Sequence, residues 1–234
     1  MNVAICLSGA IKFIDNGLHT INKISSLYNT KLFIHSWEIE DFINFNSHSL
    51  SIRNVSLSNG NFSYYDHYEN NMFDKYKYEN ISIERYEDKQ KYFQDIFNNI
   101  KFDIYEQRHD LGVLSMFYSI YKSNELKVQY EKKNNIKFDC VIRIRSDSLI
   151  RNDLILTEYN MNHLNIPNGR DWGGLNDQFA FGNSNIMNLY SETFNNIKKI
   201  HRNVYHPETI LKQSIELYDI NIDRPNIEIS INNG

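Results

Sequence analysis

The chain has 234 residues, 41% hydrophobic and 23% charged, with a formal net charge of −4. That length suffices for one sizeable domain with its own core, and the lack of a basic excess argues against nucleic acid as the main partner. No stretch approaches the ~20 apolar residues that a membrane-spanning helix needs; Cys6 and Cys140 each lie in an apolar run, where buried free thiols are expected rather than a disulfide or a metal pair.

In chain order, "NVAICLSG" is a continuous apolar run closed by Ser-Gly, the pattern of a buried parallel strand and a tight turn. No basic region precedes it, so it reads as a first strand and not as a signal peptide. "HTINKISSLYN" then places Ile21, Ile24, Leu27 and Tyr28 at helical spacing, and "TKLFIHSW" is a second apolar strand. Strand, helix, strand is a βαβ unit, which implies a parallel sheet with a right-handed crossover.

Residues 40–100 are polar, rich in Asn and Ser, and weakly periodic; one strand is expected at "SIRNVSL" and one helix at "KQKYFQDIFNNIK". From residue 111, "LGVLSMFYSIYKSNELKVQYEKKNN" is the clearest helix, with Leu114, Phe117, Tyr118, Tyr121 and Val128 on one face and a basic, helix-ending tail. "KFDCVIRIR" comes next as a strand, and "HLNIPNGR" as a short strand and turn. "DQFAFG" is a strand whose following helix is capped at Ser184 or Asn185, "HPETILKQSIELYDI" is a helix opened by Pro207 and Glu208, and "NIEISIN" alternates as a last strand. With no linker, repeat or low-complexity block, the expectation is one α/β domain.

Chemistry-bearing residues gather at the ends of these runs. In "VIRIRSDS", Asp147 falls just past the last apolar residue, at the sheet edge where open α/β folds bind ligands. An exposed carboxylate there suits Mg2+ or Mn2+ bridging to phosphates, with Arg143 and Arg145 facing phosphate or holding the carboxylate. A capping Asp beside surface arginines reads equally from the spacing. In "CLSGAIK", Ser8 and Gly9 let backbone approach a ligand and Lys12 supplies charge, although no full glycine-rich fingerprint is present. In "FIHSW", Trp37 is placed to stack on a base or sugar with His35 hydrogen-bonding it, or both are core residues. "DWGGLNDQFAFG" sets polar residues beside a Gly-Gly pair, so Asp177 is either a general base or sugar-orienting group, or a capping residue in a turn. "YHPETIL" offers His206 as a metal or phosphate contact and Glu208 as a site carboxylate, against a helix-start charge favouring the dipole.

The strings "VAICLSGAIK", "LFIHSW", "SMFYSIYKSNELKVQYE", "FDCVIRIRSDSLI" and "LNDQFAFGNSNIMNLYSE" together resemble, in order, small GT-A-fold glycosyltransferases of bacterial surface-polysaccharide clusters and large DNA viruses. The resemblance covers residues 1–50 and 110–215. It implies a GT-A-like (Rossmann-like), mostly parallel twisted sheet flanked by helices. The single domain 1–234 would bind the nucleotide-sugar through 1–50 and 110–150 and the acceptor through 151–234. It implies a transferase moving a sugar from a nucleotide-diphosphate donor to a glycan or other hydroxyl acceptor, in polysaccharide biosynthesis and in the cytoplasm (the host's for a viral member) or peripheral to a membrane. Ser8, Gly9, Lys12, His35, Trp37, Arg143, Arg145 and Asp147 then fall on the donor side, and Asp177 and Glu208 on the catalytic side. A divalent cation, Mn2+ or Mg2+, would sit at Asp147 and His206. The family's Asp-x-Asp-type motif here reads Arg145-Ser146-Asp147, so its first carboxylate is an arginine. A nucleotidyl or phosphoryl transferase and a non-catalytic sugar-binding domain are the alternatives.

Overall fold

The computed structural model describes residues 1–10, 14–38, 75–100, 104–105, 110–200 and 204–231. Strand β1 (Asn2–Ser8) is buried from Val3 to Ser8, and β2 (Asn29–Trp37) is buried from Leu32 to Trp37. Such two-sided burial puts both strands in the middle of a sheet covered on each face. With β3 (Asn80–Glu84), β5 (Cys140–Ile144), β7 (Leu164–Asn165), β8 (Phe179–Gly182) and β10 (Ile222–Asp223) they form one sheet in the order β10-β7-β8-β5-β1-β2-β3. Only β8 runs against the others: it is antiparallel to β5 and β7, whereas all remaining neighbours are parallel. The sheet spans the chain from residue 2 to residue 223, so both halves share one mixed α/β architecture. Two small pairs lie outside it, β11 (Ile229–Ile231) on β6 (Ser148–Ile150) and β4 (Ile104–Tyr105) on β9 (Val204–Tyr205).

Alternation along the strands divides the core. Ala4, Cys6, Phe33 and Val141 face one layer, while Val3, Ile5, Leu7, Leu32, Ile34, Ile142 and Ile144 face the other. Helix α1 (Ile14–Leu27) covers the second layer through Ile21 and Ile24. Helix α3 (Asp110–Asn134) covers the first through Leu114, Phe117 and Tyr118, together with α2 (Tyr86–Asn98), α4 (Ser184–Ser191), the short α5 (Thr193–Asn196) and α6 (Pro207–Ile215). Each fully buried large apolar side chain contributes about 1.5–3 kcal/mol. Local signals set the helix ends. Glu87 and Asp88 stand in the first turn of α2, Lys132 and Lys133 in the last turn of α3, and Asn135 closes α3 with a left-handed φ of 51°.

The sequence expectations for β1, β2, β5, β8, α1, α2, α3 and α6 hold, and Cys6 and Cys140 are buried free thiols. Three details differ. The cap of α4 is Asn183, one residue earlier than expected; its side chain accepts from the Ile186 backbone N–H at 3.0 Å. Leu27 and Val128 are exposed, so neither belongs to its helix's apolar face. Towards the end of α3 polar groups take the core-facing place instead: the Lys127 ammonium donates to Ser184 Oγ at 2.8 Å, Asn188 Oδ1 at 2.7 Å and Glu131 Oε2 at 3.3 Å. Burial lowers the Lys127 pKa, and these partners fix α3 against the start of α4. The expected strand at 51–57 and Lys12 lie outside the described residues. Among those described, no helix is long and apolar enough to cross a membrane.

Candidate active site

The crossover after β1 runs through α1 on one face, whereas α3 leads into β5 on the other. The connections therefore diverge around β1, and the carboxyl ends of β1 and β5 form the switch point, where open α/β sheets offer a crevice for ligands. Two turns meet there. Gly9 leaves β1 with φ 100°, a backbone that side-chain-bearing residues rarely adopt. A Cβ at Gly9 would meet no atom of the described residues within 4 Å. After β5, the turn Arg145-Ser146-Asp147 closes with Ser148 N–H donating to the Arg145 carbonyl at 3.2 Å. Ser146 Oγ donates to the Ala10 carbonyl at 3.2 Å, joining the two turns. Gly17 of α1 lies so close to this turn that a Cβ would come within 2.5 Å of the Ser146 carbonyl oxygen.

Arg145 and Asp147 form a two-pronged pair: Nε donates to Oδ1 at 2.9 Å and Nη2 to Oδ2 at 2.7 Å. The Asp147 side chain is nearly covered at 6% exposure, whereas that of Arg145 stays 30% exposed. Arg145 is thus the charge that reaches the crevice and Asp147 the group that aims it. Burial works against the Arg145 charge, but Asp147, Asp177 and Glu208 outweigh it and raise its pKa. Arg143 lies on the α3 side of β5, buried; its Nη1 donates to the Asp177 carbonyl, and its Nε has no hydrogen-bond partner among the described residues. Desolvation lowers its pKa, opposed by Tyr190 and Asp177.

The opposite wall is the loop 169–177 and the first turn of α6. A Cβ on Gly174 would fall 1.9 Å from the Glu208 carbonyl oxygen, and Leu175 N–H donates to that oxygen at 3.0 Å. Asp171 pins the loop from inside, its Oδ1 accepting from Arg224 Nη2 at 2.6 Å and from the Asn176 N–H at 3.0 Å. Between these anchors Arg170 and Trp172 sit at φ 56° and 42°. Left-handed backbone at non-glycine residues costs about 1–3 kcal/mol each, and persists only where its surroundings enforce it. Glu208 is buried, and burial first, then the Asp177 charge, pushes its carboxyl up to about 8. His206 Nδ1 stands 2.6 Å from Glu208 Oε2.

Of the expected residues, Ser8, Gly9, Arg143, Arg145, Asp147, Asp177, His206 and Glu208 share this edge, Asp177 being electrostatically coupled to Arg143, Arg145 and Glu208. His35 and Trp37 do not face it, which corrects their expected ligand contacts. Their side chains are 0% and 2% exposed. Trp37 stacks on Tyr118 and meets Tyr86 and Phe93 edge-on, so its ring is already covered. His35 Nε2 is 3.2 Å from Glu84 Oε1; burial lowers the imidazole's pKa, opposed by Glu84. Sequence reading missed Glu84, which takes the Tyr118 hydroxyl at 3.0 Å and the Lys89 ammonium at 3.1 Å and is held down to about 2 by His35 and these donors. It also missed Asp171, Arg224 and Trp172; only the Gly-Gly pair after Trp172 marked that loop. Among the described residues no three His, Cys, Asp or Glu side chains form a cation-holding group. Of the expected ligand pair, Asp147 accepts from Arg145 through both oxygens, and His206 Nδ1 lies beside Glu208 Oε2.

Residues 109–229 match a family described as a domain of unknown function (DUF7796), more than half of the chain and the whole stretch from α3 through β5, the Gly-Gly loop and α6. The chain belongs to this family. The DUF7796 match thus takes in Arg143, Arg145, Asp147, Asp177, His206 and Glu208, and leaves Ser8 and Gly9 outside it. No curated protein matches the sequence. Solved structures that match include the crystal structure of mouse xyloside xylosyltransferase 1 in its apo form, at a TM-score of 0.42 and 9% identity, covering 96% of this chain and 85% of that chain.

Proposed function

We propose that the chain is a glycosyltransferase that moves a sugar from a nucleotide-diphosphate donor to a glycan or other hydroxyl acceptor. The observation that carries this reading is the junction of the Gly9 and Ser146 turns at the switch point, with Arg145 reaching the crevice and Asp177 and Glu208 on its far wall. Transfer breaks the bond from the anomeric carbon to the diphosphate and joins that carbon to the acceptor oxygen. Arg145 neutralises the charge that develops on the departing diphosphate, fixed by Asp147 so that it need not reorganise. Gly9 gives the diphosphate close access to backbone. Asp177 accepts the acceptor's proton, and Glu208, whose carboxyl burial pushes up to about 8, holds one further proton beside it.

Thermal melting with UDP-, GDP- and dTDP-sugars, each with and without Mn2+, tests this. A stabilising shift with one nucleotide class, then release of the nucleoside diphosphate on adding acceptor, is the expected result. A well-folded protein that responds to none of them removes the reading. Release of a nucleoside monophosphate would make it a phosphoryl-group transferase.

A further inference from the structure

Trp172 is 73% exposed, while the chain's other tryptophan, Trp37, is 2% exposed. Its backbone is left-handed, as are those of Gly169, Arg170 and Gly173 around it. The tip is nonetheless held in place. Asn176 Nδ2 donates to the Gly169 carbonyl at 2.9 Å, Gly174 N–H to the Asp171 carbonyl at 2.6 Å, and Arg224 to Asp171. Folding gains nothing from presenting a large apolar ring to water on unfavourable backbone, so the ring's use lies outside the core. A Cβ on the next residue, Gly173, would stand 3.9 Å from Thr209 Cγ2, which places the tip beside the α6 turn that carries Glu208.

We propose that the Trp172 indole is the platform on which a pyranose ring of the acceptor stacks; the word acceptor rests on the transferase reading, the stacking does not. A saturated sugar ring has an apolar C–H face and a polar hydroxyl rim. The indole supplies a flat apolar face, and the loop around it supplies Arg170 and Gln178 for the rim. A lipid surface is the poorer match, because Trp172 is the one large exposed hydrophobic side chain of the described loop 169–178, where an interfacial anchor presents several.

The test is a fluorescence titration of the full chain with neutral oligosaccharides (maltohexaose, cellohexaose and chitohexaose), with no nucleotide present. Trp37 is shielded, so the solvent-sensitive emission belongs to Trp172. A saturable blue shift with at least one sugar is expected; that sugar's affinity, measured by calorimetry, should fall about tenfold in Trp172→Ala and stay within about threefold in Trp172→Phe, which keeps an aromatic face. No shift with any of the three sugars overturns the proposal. So does equal affinity of the Trp172→Ala protein measured by calorimetry, or a blue shift confined to anionic phospholipid vesicles. Nucleotide thermal shifts report separately on the donor side, so the transferase reading and this one fail in different experiments.

Discussion

Ser146 donates its hydroxyl to the carbonyl of Ala10 across 3.2 Å, and so ties the turn after β5 to the turn after β1, 136 residues earlier. The crevice between those turns depends on how close α1 comes to the same place.

Gly17→Ala measures that closeness. In a free helix the change is worth about 1 kcal/mol of stability. Here the new methyl would lie 2.5 Å from the Ser146 carbonyl oxygen, a backbone atom, and overpacking of this kind costs about 1–3 kcal/mol. The second effect is the larger. The expected result is a net loss in urea denaturation together with loss of the nucleotide-induced melting shift; a stabilised variant would show that α1 can move away freely.

Arg145 and Asp147 divide the work at the crevice, and substitutions should separate them. Arg145→Lys keeps the charge and loses the fork, so nucleoside diphosphate affinity should drop about tenfold by calorimetry. Arg145→Met also leaves the nearly covered Asp147 without its partner, and should lower stability by about 2 kcal/mol in addition. Equal diphosphate binding by wild type and Arg145→Met would remove Arg145 from the site.

The buried Lys127 offers a prediction independent of function. Its ammonium is fully covered and has Glu131, Ser184 and Asn188 around it. Lys127→Met leaves Glu131 with Lys137, the Phe138 N–H and Ser184 as its remaining donors. The single change should cost about 3 kcal/mol in urea denaturation, and adding Glu131→Gln should restore part of it. Full additivity of the two would mean that the pair does not interact.

Much of this arrangement could be read from the sequence because β1, β2 and β5 are continuous apolar runs, and parallel strands deliver the residues at their carboxyl ends to one edge of the sheet. That logic placed Ser8, Gly9, Arg145 and Asp147 at this edge, where the structure has them. Strand β3 escaped it: Asn-Ile-Ser-Ile-Glu lies at the sheet edge with Ile83 exposed, so its pattern carries little apolar contrast. Strands of two or three residues, such as β6 and β10, are too short to show a period. His35 and Trp37 were misplaced for another reason. Alternation says that they share a face with Phe33, but not that α3 covers that face; Tyr118, which closes over Trp37, is 81 positions away in the chain. The Glu84 cluster was hidden likewise, since its partners His35 and Tyr118 stand 49 and 34 residues from it.

Two carboxyls displaced in opposite directions predict the pH dependence of stability. Glu84 is held down to about 2 from 4.5 by His35, Lys89 and Tyr118, so its contribution is present above 4.5 and is lost as pH falls towards 2. Glu208 is pushed up from 4.5 to about 8, chiefly by burial and then by Asp177. The folded state binds its proton more tightly than the unfolded chain does, so that contribution is complete below 4.5 and is lost as pH rises through 8. Urea midpoints measured from pH 3 to pH 9 should therefore trace a dome with its crest between the two limbs, near the shared reference value of 4.5. Glu208→Gln should flatten the alkaline limb and leave the acid limb, and Glu84→Gln should do the reverse. A Glu208→Gln protein that keeps the wild-type alkaline slope would place that titration on other residues, and Glu208 would no longer be the carboxyl that reaches neutral pH with a proton to exchange.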